Sequence, residues 1–213
     1  LLVRYNKLMN KRKALAFLAL NATIVILELI GTTICFNEIG AQMLIFYTQL
    51  SNLFLLIAAT INSYFAVRAL KDKKYKIPTP AYTLFYAATC ATTVTLLTVI
   101  FVLSWMYGDL IYILTAGSML FTHTLCPVLA LITHFAFTPK ALNKNAASRA
   151  LLFTLFYGGV AIVLNITETW HGPYPFLYIY EQPVWASFAW FVGIICGAYG
   201  IARLLLIGKT RKK

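Results

Sequence analysis

The sequence predicts an all-α fold: a polytopic bundle of six transmembrane helices with both termini cytoplasmic. Two observations predict it. The chain is 61% hydrophobic and only 11% charged, too apolar for an ordinary soluble domain. Its eighteen basic residues also fall into four clusters that punctuate six apolar runs. The clusters are Arg4, Lys7, Lys11, Arg12 and Lys13; then Arg68, Lys71, Lys73, Lys74 and Lys76; then Lys140, Lys144 and Arg149; and last Arg203, Lys209, Arg211, Lys212 and Lys213. Loops rich in Lys and Arg stay on the cytoplasmic side, so the other three connections, which hold no basic residue, are expected outside.

The six runs cover residues 14–36, 43–67, 81–105, 111–137, 151–170 and 184–207. Each approaches or exceeds the ~20 residues that cross the hydrocarbon core at about 1.5 Å per residue. The first follows a basic stretch but is too long for the apolar core of a typical signal peptide, so it is expected to remain as a helix. The outer connections are then 37–42, 106–110 and 171–183, and four of the six acids, Glu38, Asp109, Glu168 and Glu181, lie in or beside them. Pro78 and Pro80 mark the start of the third helix and Pro139 the exit from the fourth. All connections are short, so residues 1–213 are expected to form a single domain. The net charge of +12 is explained by topology and by attraction to anionic lipid at the cytoplasmic face. Nucleic acid is not an expected partner, because the basic residues flank apolar spans instead of alternating with exposed aromatics.

The last outer connection carries His171-Gly172-Pro173-Tyr174-Pro175-Phe176-Leu177-Tyr178-Ile179-Tyr180. Its aromatics suit the headgroup region, either as a passive anchor or, through Tyr174 and Phe176, as a lid over a site opening outward. Cys35, Cys90, Cys126 and Cys196 lie in or at the end of apolar runs without metal-ligand spacing. No metal and no cofactor is expected.

Ionisable and polar groups within hydrocarbon are costly and usually face the bundle interior. His123 lies mid-helix, and Pro127 four residues later removes a helix hydrogen bond around it, which predicts a kink there. A neutral imidazole can serve as a general base; a histidine on a helix also serves as a satisfied structural group. Thr48, in the outer half of the second helix, shares a face with Asn52 one turn below, and Ser51 is close by. Helix-to-helix hydrogen bonding explains that stripe without chemistry. The catalytic alternative makes Thr48 the nucleophile, His123 its base, and Asn52, Ser51 or a backbone N–H an oxyanion or substrate-orienting donor. Thr48 would stand about five residues, or roughly 7 Å, above His123. Glu28, with no basic residue one turn away, keeps a small-molecule or ion-coupled transporter reading open, and a non-catalytic membrane scaffold, whose polar groups only join helices, is the other alternative. His134 returns to nearly the same helix face as His123 but about 16 Å deeper, too far for the two to ligate one haem iron.

Three strings occur in order: Phe46-Tyr47-Thr48-Gln49-Leu50-Ser51-Asn52-Leu53, then His123-Thr124-Leu125-Cys126-Pro127, then Tyr174-Pro175-Phe176-Leu177. In order and spacing they resemble the androgen-induced and androgen-dependent membrane protein family, above all its bacterial six-helix branch. The resemblance spans the second helix to the start of the sixth. Animal members of that family are threonine hydrolases of fatty acid esters of hydroxy fatty acids, and their essential threonine and histidine match Thr48 and His123. The resemblance therefore implies a lipid ester hydrolase in a bacterial cytoplasmic membrane, taking a fatty acyl ester or other membrane lipid as substrate. Two departures concern the support of that site. Thr133 and His134 stand where the bacterial pattern has an acid, and Tyr178 stands where an Asp often follows the Tyr-Pro-Phe-Leu motif. A related acyltransferase group uses an intramembrane cysteine, which makes Cys126 a weaker nucleophile candidate.

Overall fold

The computed structural model describes residues 9–210 apart from 73, 140, 141, 143 and 144, with the side chains of 208–210 also left out. Every regular element among the described residues is helical. Six helical stretches are long and apolar enough to cross a membrane: Lys11–Ile45, Tyr47–Lys71, Thr79–Tyr107, Leu120–Phe137, Ala146–Ile166 and Val184–Ile207. The chain has the build of a multi-pass membrane protein.

The first span begins as α1 (Lys11–Ile39), capped by Asn10, whose Oδ1 accepts from the Lys13 N–H at 2.9 Å. It runs on as a 3₁₀ turn over Gly40–Ile45, so the expected loop 37–42 is helical. Phe46, extended at φ −86° and ψ 130°, is the one residue that separates this turn from α2 (Tyr47–Lys71). Then α3 (Thr79–Thr98), with Pro80 in its first turn where no N–H is missed, continues through a π-helical turn, Val99–Leu103, into α4 (Ser104–Tyr107).

The fourth span departs from expectation. The run 111–137 is not one helix: Asp109 caps a short α5 (Leu110–Thr115), and the chain breaks at Ala116, which is extended, and Gly117, at φ 49°. A second π-helical turn, Leu120–Leu125, then leads into α6 (Cys126–Phe137). Pro127 lies in the first turn of α6. The break has a physical cause: residues of the π turn capture carbonyls of α5, with Thr124 Oγ1 donating to Leu114 O at 2.7 Å, and Ser118 Oγ donates to Glu38 Oε2 at 2.7 Å. The fifth and sixth spans are α7 (Ala146–Ile166) and α8 (Val184–Thr210).

α3 is the most enclosed span, with 56% of its most apolar window buried against 17% for α8. It touches α2, α6, α7 and α8. Small buried residues, among them Ala58, Ala59, Ala88, Ala91 and Ala130, let these helices approach closely. The threonines of α3 mostly satisfy themselves; Thr89 and Thr93 donate to the carbonyls of Phe85 and Thr89 at 2.8 and 2.7 Å. At one end of the bundle Ala14, Phe17, Ala69, Ile77 and Tyr82 pack with Phe137. Lys11, Arg12, Lys13, Arg68 and Lys71 border that end; Arg4, Lys7, Lys73, Lys140, Lys144, Arg211, Lys212, Lys213 and the Lys209 side chain lie outside the described residues. At the other end Tyr47, Val99, Leu103, Ile113, Tyr174 and Phe176 form a separate core.

Candidate functional site

The break at Phe46 gives Thr48 an environment the sequence did not suggest. Thr48 is the second residue of α2. The first N–H groups of a helix lack intrahelical partners, and the earliest in α2 to find one is Leu50, bonded to Phe46 O at 3.1 Å. The Thr48 N–H instead donates to the Tyr174 hydroxyl at 3.4 Å. Two further tyrosines fix this helix start. Tyr157 Oη donates to Ile45 O at 2.8 Å, and Tyr47 Oη pairs with Thr154 Oγ1 at 2.8 Å. Tyr157 and Thr154 both come from α7, more than a hundred residues along the chain.

Ser51 and Asn52 are both engaged below Thr48. Ser51 Oγ donates to Thr48 O at 2.9 Å and pairs with Thr95 Oγ1 at 2.9 Å. Asn52 Nδ2 gives its two hydrogens to Thr48 O at 2.8 Å and Thr122 O at 3.0 Å. With its donors engaged, Asn52 braces the backbone below Thr48 and joins it to the π turn. It has no amide hydrogen left for an oxyanion. The Thr48 N–H is likewise taken, by the Tyr174 hydroxyl, while the other N–H groups of the first turn of α2 have no carbonyl one turn earlier within the helix.

Thr48 lies on the wall of a cavity of about 480 Å³ between α3, α7, α8 and the connection from α7 to α8. Its walls are largely apolar, with Val94, Val99, Ile162, Phe191 and Ile195, while Thr48, Thr95, Thr154 and Tyr174 add polar groups. Ile166, Val184 and Phe188 line it too and are also exposed on the outer surface, so the cavity opens between the end of α7 and the start of α8. Tyr174 and Phe176 are each 7% exposed. Their rings stack at 5.1 Å, Tyr174 meets Phe46 edge-on at 6.2 Å, and Phe176 lies 5.6 Å from Trp190. This segment is thus folded inward as part of the cavity wall. Burial raises the Tyr174 phenol above its ordinary pKa, so it keeps its proton at neutral pH.

His123, 8% exposed, sits on the π turn. Its Nδ1 is 2.6 Å from Ile113 O. A carbonyl only accepts, so Nδ1 carries the hydrogen, and in a neutral ring Nε2 holds the lone pair. The ring is therefore oriented as a base would be. It does not line the cavity, and among the described residues no hydrogen bond joins it to Thr48; the expected direct pairing is not made. Their link runs from Thr48 O through Asn52 to Thr122 O, one residue before His123.

The remaining candidates lie elsewhere. Glu28 is fully buried, neither carboxyl oxygen makes a regular hydrogen bond, and the Cys126 thiol faces it. Cys126 is accordingly turned toward α1 and is not on the cavity wall. His134 is fully buried, with Nε2 donating to Leu205 O at 3.4 Å and its ring 5.4 Å from Tyr86, a tie between α6 and its neighbours. Sequence reasoning missed Tyr157, Tyr47 and Thr154; a tyrosine within an apolar span was the only signal, since a buried phenol needs a partner. Comparison with protein-family models, curated proteins and solved structures found no match.

Proposed function

We propose that the protein is a multi-pass enzyme of the cell membrane that hydrolyses lipid esters, with Thr48 as nucleophile and both termini cytoplasmic. The observation that carries this reading is Thr48 itself. It stands on the wall of an apolar cavity at the start of a helix, beside N–H groups that have no helix partner. A hydroxyl there meets an acyl ester whose chain fills the cavity and whose carbonyl meets oriented donors. The motif resemblance supports fatty acid esters of hydroxy fatty acids as the substrate class and the bacterial cytoplasmic membrane as the location. The orientation is supported by the basic residues bordering one end and by Trp105, Tyr107, Tyr180 and Trp185, all exposed toward the other, as suits a headgroup belt.

In the proposed reaction Thr48 Oγ forms a bond to the ester carbonyl carbon while the carbonyl electron pair moves to oxygen. His123 Nε2 takes the hydroxyl proton and returns it to the departing alkoxide, leaving an acyl-threonine. Water attacks that ester, His123 again relays the proton, and the products are a carboxylic acid, an alcohol and free Thr48. Catalytic hydrogen bonds are often long without substrate and tighten when it binds, which is the closure this mechanism requires of Thr48 and His123.

The test is hydrolysis by purified protein in detergent and in lipid. Thr48→Ala and His123→Ala each abolish activity and fluorophosphonate labelling, Thr48→Ser retains part of it, and Cys126→Ala changes little. Hydrolysis undiminished in Thr48→Ala removes the mechanism. A carrier is the second reading, favoured by one observation, the fully buried Glu28 carboxyl, which faces the Cys126 thiol and no basic group one turn away; loss of transport in Glu28→Gln by a parent that hydrolyses nothing would select it.

A further inference from the structure

We infer that Tyr174 is a catalytic residue of this site, its phenolic hydroxyl donating a hydrogen bond to the ester carbonyl oxygen as negative charge develops there. The inference rests on the hydrolase reading and adds to it a role for the connection between α7 and α8. Four features support it. The hydroxyl accepts the Thr48 N–H at 3.4 Å and also lies against the Thr48 side chain. A carbonyl carbon within bonding reach of Thr48 Oγ can therefore turn its oxygen toward Tyr174 Oη. Tyr174 lines the cavity, on the same wall as the nucleophile.

The hydroxyl has one hydrogen to give. The Thr48 side chain is its neighbour; when an ester binds, the O–H can rotate to the carbonyl oxygen, which frees the Thr48 lone pair for attack. The N–H of Thr48 remains donated to the phenol oxygen, and a donor that is itself hydrogen-bonded in this way is strengthened. The resulting tetrahedral carbon carries one Thr48 C–O bond, the alkoxy group and an oxygen whose charge the phenol stabilises. No proton leaves Tyr174, so the balance of the reaction is unchanged.

The fourth feature is that packing and chemistry are separable here. Stacking on Phe176 and edge contact with Phe46 hold the ring whether or not it bears a hydroxyl. Tyr174→Phe thus removes the donor and keeps the wall.

The experiment compares the parent, Tyr174→Phe and Thr48→Ala on para-nitrophenyl decanoate and on its thionoester, whose C=S sulfur is a poor hydrogen-bond acceptor. Binding of a fluorescent alkyl ether lipid, which cannot be cleaved, reports the cavity. The parent is expected to prefer the ester strongly. Tyr174→Phe lowers kcat on the ester roughly 100-fold, the order seen when one oxyanion donor is lost, with little effect on the thionoester and none on ether binding, so the preference collapses. If Tyr174→Phe keeps the parental kcat and preference, the role of Tyr174 is overturned while hydrolysis at Thr48 stands. Equal losses on both substrates together with lost ether binding also overturn it, leaving a packing residue. A parent without ester hydrolysis, or full hydrolysis in Thr48→Ala, overturns the hydrolase reading and this role with it.

Discussion

Thr48 and Glu28 are both polar residues of apolar helices, yet their surroundings differ in kind. The backbone of Thr48 is answered on both sides: its carbonyl accepts from Ser51 and Asn52, and its N–H meets Tyr174. Glu28 has two enclosed oxygens without regular partners. Replacing a buried unpaired polar group by an apolar one of similar shape is neutral or stabilising. Glu28→Met is therefore expected to hold or raise the thermal midpoint in detergent, and to leave ester hydrolysis intact; a clear fall in the midpoint would show that the carboxyl has a stabilising partner. Tyr157→Phe should act in the opposite sense. It strips the bond to Ile45 O at the hinge before α2, at a cost of about 1 kcal/mol, read as a lower midpoint in the same assay.

Helix contacts make a sharper test of packing. A Cβ on Gly31 of α1 would lie 2.7 Å from Phe121 Cβ on the π turn. Both atoms are fixed to backbone, so Gly31→Ala must push α1 from the π turn, costing about 1–3 kcal/mol. Gly159 of α7 has open space, and Gly159→Ala should be neutral or gain up to about 1 kcal/mol; paired unfolding curves separate the two. The same elements mark what the sequence could reveal. Length and apolarity were enough to place six helices, because hydrocarbon thickness sets a coarse rule that tolerates errors of several residues at each end. They could not locate the start of α2, since the run from Met43 is continuously apolar across the break and the bond that Tyr157 makes to Ile45 O there comes from another helix. The interruption of the fourth span did leave a trace, Asp109 as a cap and Gly117 at the turn, but composition masked it. For the site, the Thr48, His123 and Tyr174 motifs were legible as separate strings. Their arrangement was not: Tyr174 meets Thr48 from 126 positions further along the chain, and His123 turns to α5 for its bond.

At the scale of the molecule, the proposed orientation gives each connection a side. Cys196 is exposed, so labelling begins from Cys196→Ser. On that background Thr169→Cys and Glu181→Cys, both at exposed positions, react with an impermeant thiol reagent on intact cells. Lys74→Cys reacts only after the membrane is opened; its labelling in intact cells would reverse the topology. Gly172 is a poor probe despite lying in the same connection, because a Cβ there meets Leu177 Cβ at 2.8 Å and Asn165 Nδ2 at 3.1 Å.

On the proposed membrane embedding and hydrolase reading, the opening between the end of α7 and the start of α8, bordered by Ile166, Val184 and Phe188, changes what substrate concentration means. An enzyme fed through such an opening samples a two-dimensional solution, and its saturation follows the mole fraction of ester among the surrounding amphiphiles. Adding inert detergent or phospholipid at constant total ester should then slow hydrolysis by surface dilution, whereas adding buffer at constant composition should not. Inhibitors would rank by partition coefficient before they rank by fit.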